Sequence, residues 1–206
     1  PLPALLQGNL VIDASQAGVV IDGGGISIQD RNGLDVRSDN NTIRGLHLRN
    51  FSKACIALEG GAQNNTIGGD PSKGVGPSGQ GNILSGEGTF GIGLWGEEIS
   101  FNTIQGNFIG TDMNGMNVLG NFSGGIFSDG ATSNLITDNI VGGYRDNGVQ
   151  IGGISKGNNT VRNNFIGTNA SGTADITINT NWSTGISINY CGSNTIGPSN
   201  IITNNE

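Results

Sequence analysis

Asn102-Thr103-Ile104-Gln105-Gly106-Asn107-Phe108-Ile109-Gly110-Thr111-Asp112 returns almost unchanged as Asn159-Thr160-Val161-Arg162-Asn163-Asn164-Phe165-Ile166-Gly167-Thr168-Asn169. The first three residues of that stretch recur further as Asn41-Thr42-Ile43, Asn65-Thr66-Ile67, Asn134-Leu135-Ile136 and Asn194-Thr195-Ile196. Successive Asn residues of this set lie 24, 37, 32, 25 and 35 positions apart, so one short segment is fixed while the connections vary. A repeat of this kind reads as one coil of a solenoid with loops of free length.

Two more apolar segments complete each unit. The second usually opens with its own Asn: Asn82-Ile83-Leu84, Asn107-Phe108-Ile109, Asn139-Ile140-Val141, Asn164-Phe165-Ile166 and Asn200-Ile201-Ile202, with Leu46-His47-Leu48 in the first complete unit. The third alternates: Leu34 and Val36, Ile56 and Leu58, Ile92 and Leu94, Ile126 and Ser128, Val149 and Ile151, Ile186 and Ile188. Period two is strand periodicity. The segments repeat in one order and are not mirrored about tight turns, which excludes a hairpin sandwich. Three short strands per coil, stacked in parallel over about seven coils, fit instead. Equivalent residues then lie roughly 4.8 Å apart, so a buried Asn column satisfies its own amides up and down the stack.

With these repeats the chain, from about Gly18 onward, resembles the right-handed parallel β-helix proteins of the pectate-lyase-like superfamily. The paired Asn102 and Asn159 motifs resemble repeats of bacterial surface and secreted proteins. The resemblance implies an all-β, single-stranded right-handed parallel β-helix, outside the cell or on its surface. For activity it implies little, because the superfamily includes polysaccharide lyases, hydrolases, epimerases and passive stalks or adhesins. Family hydrolases carry paired Asp residues with a Gly-His-Gly segment, and the epimerases an Asp-Pro-His segment. Neither motif occurs here. The one histidine, His47, alternates with Leu46 and Leu48 and reads as an outward surface residue.

Composition narrows the function further. The 206 residues read as a single domain, 1–206, expected to be a segment of a longer chain because it opens at Pro1-Leu2-Pro3 without an initiator Met and stops before the third strand of its last coil. Such open strand edges suit end-to-end or neighbouring-domain contacts. Nine basic against sixteen acidic residues give a net charge of −7 without a basic cluster, which disfavours nucleic acid. The apolar runs fall far short of a membrane span. Cys55 and Cys191 lie four coils apart, about 19 Å at the strand spacing, and are expected to be unpaired thiols. No Cys or His pair has metal-ligand spacing, so no metal or cofactor is expected.

Two constellations remain as candidate chemistry. On the third strands, Asp35, Arg37, Glu59, Trp95 and Asp129 are expected to point outward on one face. As an enzyme site, Asp35, Glu59 and Asp129 would supply the carboxylates and Arg37 a lyase base, with calcium required only in that case. In the arcs before those strands, Phe51, Glu87, Phe122, Tyr144 with Arg145 and Asp146, and Trp182 fall at equivalent positions and suggest an aromatic strip for sugar rings. Trp95, Tyr144, Arg145, Asp146 and Trp182 are the expected ligand contacts. An ordinary solvated face and an internal aromatic corner are the competing readings. A row of Thr at 42, 66, 103, 160 and 195 lacks the second Thr row an ice-binding plane needs. The expected function is binding of extracellular polysaccharide without catalysis. A polysaccharide-modifying enzyme and a structural stalk are the alternatives.

Overall fold

The computed structural model describes residues 2–24, 30–86, 88–120, 123–154, 157–176, 183–203 and 205. Among these the chain is all-β without helices, and its strands form three parallel sheets, as a three-sided parallel β-helix of about seven coils requires. The first sheet holds β1 (Val11–Asp13), β4 (Thr42–Arg44), β7 (Thr66–Gly68), β10 (Thr103–Gln105), β13 (Leu135–Thr137), β16 (Thr160–Arg162) and β19 (Thr195–Ile196). The second holds β2 (Val19–Asp22), β5 (Leu46–Arg49), β8 (Ile83–Ser85), β11 (Phe108–Ile109), β14 (Ile140–Val141), β17 (Phe165–Ile166) and β20 (Ile201–Ile202). The third holds β3 (Leu34–Val36), β6 (Ala54–Leu58), β9 (Phe90–Trp95), β12 (Gly124–Asp129), β15 (Asn147–Gly152) and β18 (Thr184–Ile188).

Register converts the repeat into columns. Ile12, Ile43, Ile67, Ile104, Ile136, Val161 and Ile196 are paired in sequence along the first sheet. The inner members of this column are sealed from solvent, as are Leu48, Leu84, Ile109, Val141 and Ile166 in the second sheet. Each such side chain contributes roughly 1.5–3 kcal/mol by leaving water. The core is therefore a bundle of mainly aliphatic columns, with two from the third sheet, through Ile56 and through Leu58.

Two Asn columns stand at the corners. In the first, Asn41, Asn65, Asn102, Asn134 and Asn159 each donate from Nδ2 to Oδ1 of the next Asn, ending on Asn194, over 2.8–3.1 Å. In the second, Asn82, Asn107, Asn139 and Asn164 do the same, ending on Asn200, over 3.0–3.1 Å. The backbone N–H of each donor Asn bonds to that same Oδ1. The second proton of Asn102, Asn134 and Asn159 goes to the carbonyls of Ala62, Ile99 and Ala131, and that of Asn107 and Asn139 to Ile67 and Ile104. No buried amide hydrogen is left over in these interior rungs, which is what makes a polar column tolerable inside a core.

A left-handed residue precedes each rung of the first column and most of the second. Asn40, Asn64, Phe101, Ser133, Asn158 and Ser193 precede the first column with φ between 56° and 62°. Asp138, Asn163 and Ser199 do so before the second, with φ of 57°, 55° and 62°. Asn, Asp and Ser are residues that tolerate this conformation, whereas Phe101 is a bulky exception.

Removing one interior rung orphans the donors of the preceding Asn and takes one of two donors from the following one. Asn102→Ala takes away the acceptor of Asn65 and the donor to Ala62 and Asn134. Urea denaturation should register a loss of roughly 2–4 kcal/mol. Thr103→Ala, one residue on and half-buried, should cost less than about 1 kcal/mol. Equal losses would mean the rung bonds do not carry the coil.

Candidate functional site

Alternation along the third sheet places every second side chain outside the coil. Asp35 pairs with Ala57, Ala57 with Gly93, Gly93 with Phe127, Phe127 with Gln150 and Gln150 with Ser187, so these form one row. Trp95 and Asp129 pair in the row two residues further along the strands. The outward face thus has the register the alternation predicts. It is not bare: Ala57 is fully covered although it points away from the core.

The polar end of this face is an ion-paired chain. Arg37 Nη2 lies 3.0 Å from Glu59 Oε2 and 3.3 Å from Asp35 Oδ2, and Lys53 Nζ lies 3.3 Å from Glu59 Oε1. Asn32 Nδ2 donates to Asp35 Oδ1 at 2.6 Å and reaches Glu59 Oε1 at 3.4 Å. Asn32 Oδ1, by contrast, is buried and has no hydrogen-bond partner among the described residues. Asp35, Arg37 and Glu59 are brought together as one unit. Asp129 stays apart, exposed at the end of β12 and outside any ion pair among the described residues. Half-exposed pairs of this kind contribute little to stability, about 0–1 kcal/mol each, so their arrangement orients the polar groups more than it holds the fold.

The other end is aromatic. Phe90 and Phe127 stack at 4.5 Å between ring centroids with 15° between planes, and Trp95 tilts against Phe127 at 6.2 Å and meets Phe90 edge-on at 6.4 Å. Glycines provide the floor. A methyl at Gly93 would collide with the six-membered ring of Trp95, and one at Gly124 would press on the ring of Phe90. Lys53 Nζ sits 4.2 Å from the centroid of the Trp95 ring, which joins the aromatic cluster to the ion-paired chain by a cation–π contact. Trp95, expected to point outward as a ligand contact, is half-buried between Gly93 and an ammonium group.

Phe90, Lys53 and Asn32 escape sequence reasoning. Phe90 shares strand parity with Ile92, so alternation assigns it inward, yet its ring joins the outer cluster where β9 begins. Lys53 and Asn32 belong to the turns before β6 and β3, close in sequence to Glu59 and Asp35, and the stacking of coils brings Lys53 beside Trp95 and Asn32 beside Glu59.

The expected strip in the arcs does not form from the residues described. Tyr144 is fully buried, and its hydroxyl donates to Asn205 Oδ1 at 2.7 Å. Burial raises its hydroxyl pKa above the usual phenol range, with the Asn205 bond opposing. It closes a corner of the core and offers no ring face to a ligand. Phe51 is likewise buried, wedged against Gly23 and Gly33. Arg145 and Asp146 are exposed, with both backbone N–H groups bonded to the Ser123 carbonyl. Trp182, Phe122 and Glu87 lie outside the described residues. His47 points outward from the second sheet, as alternation predicts, and is half-buried with Nε2 3.1 Å from Ser85 Oγ. Burial, reinforced by the charge of Arg49, lowers its pKa.

Both cysteines are free. Burial pushes the Cys55 thiol up to about 12, whereas Cys191 is partly exposed beside Asn194. Mass spectrometry after iodoacetamide treatment of the native protein at pH 8 should find one label, on Cys191. Two labels should appear only after denaturation. Rapid native labelling of Cys55 would contradict the packing of β6. A second test addresses the glycine floor: Gly93→Ala should expel the indole of Trp95. In a Trp182→Phe background, emission should shift to the red and acrylamide quenching should increase, with a stability loss of about 1–3 kcal/mol.

No protein-family model, curated protein or solved structure matches this chain.

Proposed function

We propose that this β-helix is a secreted or cell-surface module that binds extracellular polysaccharide on the outward face of its third sheet, without catalysis of its own. The observation that carries this reading is the juxtaposition of the Phe90–Trp95–Phe127 cluster with the Asn32, Asp35, Arg37, Lys53 and Glu59 chain. Sugar rings have apolar C–H faces and polar edges, so they pack on aromatic surface while their hydroxyls exchange hydrogen bonds with flanking groups. Lys53 is placed to give up its contact with Trp95 to a ligand while remaining paired with Glu59.

Binding is favoured over turnover because Asp35 and Glu59 are both tied to Arg37, and Asp129 stands apart from them. A carboxylate pair for glycoside chemistry needs one member free to protonate a leaving group and the other to attack or activate water. An Arg already shared between two carboxylates is a poor proton acceptor. A relationship to the pectate-lyase-like superfamily belongs to the same reading, and the three-sheet coil with its Asn columns supports it.

Affinity gel electrophoresis against plant, algal and microbial polysaccharides tests it. At least one polymer should retard the protein, and Trp95→Ala should weaken that retardation about tenfold, the equivalent of about 1.4 kcal/mol. Phe101→Ala, which removes a 62% exposed aromatic on a different side, should leave retardation unchanged. Absence of retardation by every polymer, or equal effects of the two substitutions, overturns the proposal.

A further inference from the structure

The outward row of the second sheet runs Val20, His47, Ile83, Phe108, Ile140, Phe165 and Ile201 in continuous register. Except for His47 it is apolar on the solvent side, so it requires cover. Three excursions supply it. Residues 69–81 turn back toward the first coil, where the Gly76 N–H donates to the Ser15 carbonyl at 2.7 Å and Pro77 packs on Gly18. Residues 111–119 turn the other way: Gly115 lies against Ile140, and its carbonyl accepts the Ala170 N–H at 2.9 Å. Residues 168–176 repeat that arc, with Gly172 over Phe165 and Ile201. Because the first two excursions diverge, the floor between them is left open.

The opening is a cleft of about 350 Å³, with Val20, His47 and Ile83 as its floor and Pro77, Met113 and Leu119 as its walls. That volume falls within the range of small-molecule sites. Its polar groups are few. The Asp112 carboxylate at the rim is filled from within its own arc by the N–H groups of Met116 and Asn117 and by the Asn117 amide. His47 is different: one ring nitrogen meets Ser85, and the other has no hydrogen-bond partner among the described residues. Burial disfavours the imidazolium, so the floor presents a neutral ring. An anion finds no counter-charge among the lining residues, and a cation finds only the Asp112 carboxylate, whose oxygens already accept hydrogen bonds within their own arc. Met113, unbranched and half out in solvent, gives the wall an adaptable surface.

We propose that this cleft, on a different side of the coil from the aromatic face, binds a neutral, mainly apolar molecule of one to three rings that hydrogen-bonds with His47. The site is independent of polysaccharide binding. N-phenyl-1-naphthylamine, a neutral probe that brightens in apolar surroundings, tests it on the whole chain, with p-cresol and toluene as competitors. The expected result is saturable binding of one probe per chain, displaced by both competitors. Leu119→Glu, at an exposed loop position, should weaken probe binding at least about tenfold, and Val75→Glu, exposed outside the cleft, should not. His47→Phe should preserve probe and toluene binding and weaken p-cresol about tenfold. Unsaturable binding, or binding indifferent to Leu119→Glu, overturns the site. An unchanged p-cresol affinity in His47→Phe overturns the role of the imidazole.

Discussion

A primary amide buried in an aliphatic core must find partners for two protons and one oxygen, and nothing else in this chain constrains the coils so tightly. In both corner columns each interior Asn meets that demand through the next coil and the strand carbonyls of its own neighbourhood. A coil displaced by one residue would break the set at once, since the amide would face outward and its partners would be stranded in the core. The columns therefore fix where each coil must return, and they leave the path between corners free. That division explains how segments of such different length share one register.

The surfaces inherit this alignment. The third sheet has no Asn column of its own, yet its outward residues fall into rows because the two other corners hold every coil in phase. Asp35, Arg37 and Glu59 meet from neighbouring coils, and Trp95 reaches Phe127 the same way. The glycines at 93 and 124 finish the arrangement by leaving space for the aromatic rings above the sheet. On the second sheet the same phasing makes an apolar row, and the long excursions that cover it leave one gap over His47.

Strand-level features were legible because they depend on local periodicity. Asn41-Thr42-Ile43 and its kin combine a period of two with a polar residue that has only one sensible buried role, so fold, rows and the first column follow. The second column was visible in the same way, through Asn107 and Asn164. Side chains in the arcs were not legible. Counting back from a strand places Tyr144 at a position equivalent to Phe51, but it cannot tell inside from outside where no alternation exists, and both rings turn inward. Lys53 and Asn32 carried no signal at all, because a turn residue has no strand parity and their contacts with Trp95 and Glu59, respectively, come from the next coil. Phe90 carried a misleading one, since its parity with Ile92 points inward while its ring stacks on the outward Phe127.

The corner columns also run one way. Every Asn points its side-chain and backbone N–H groups at the oxygen of the following coil, from Asn41 to Asn194 and from Asn82 to Asn200. Their amide dipoles are parallel, and chains of aligned hydrogen bonds polarise one another. Sheets on their own have little net dipole because neighbouring peptide groups cancel. This solenoid thus has an electrical axis along its length, positive toward the last coil, written by side chains and not by the backbone.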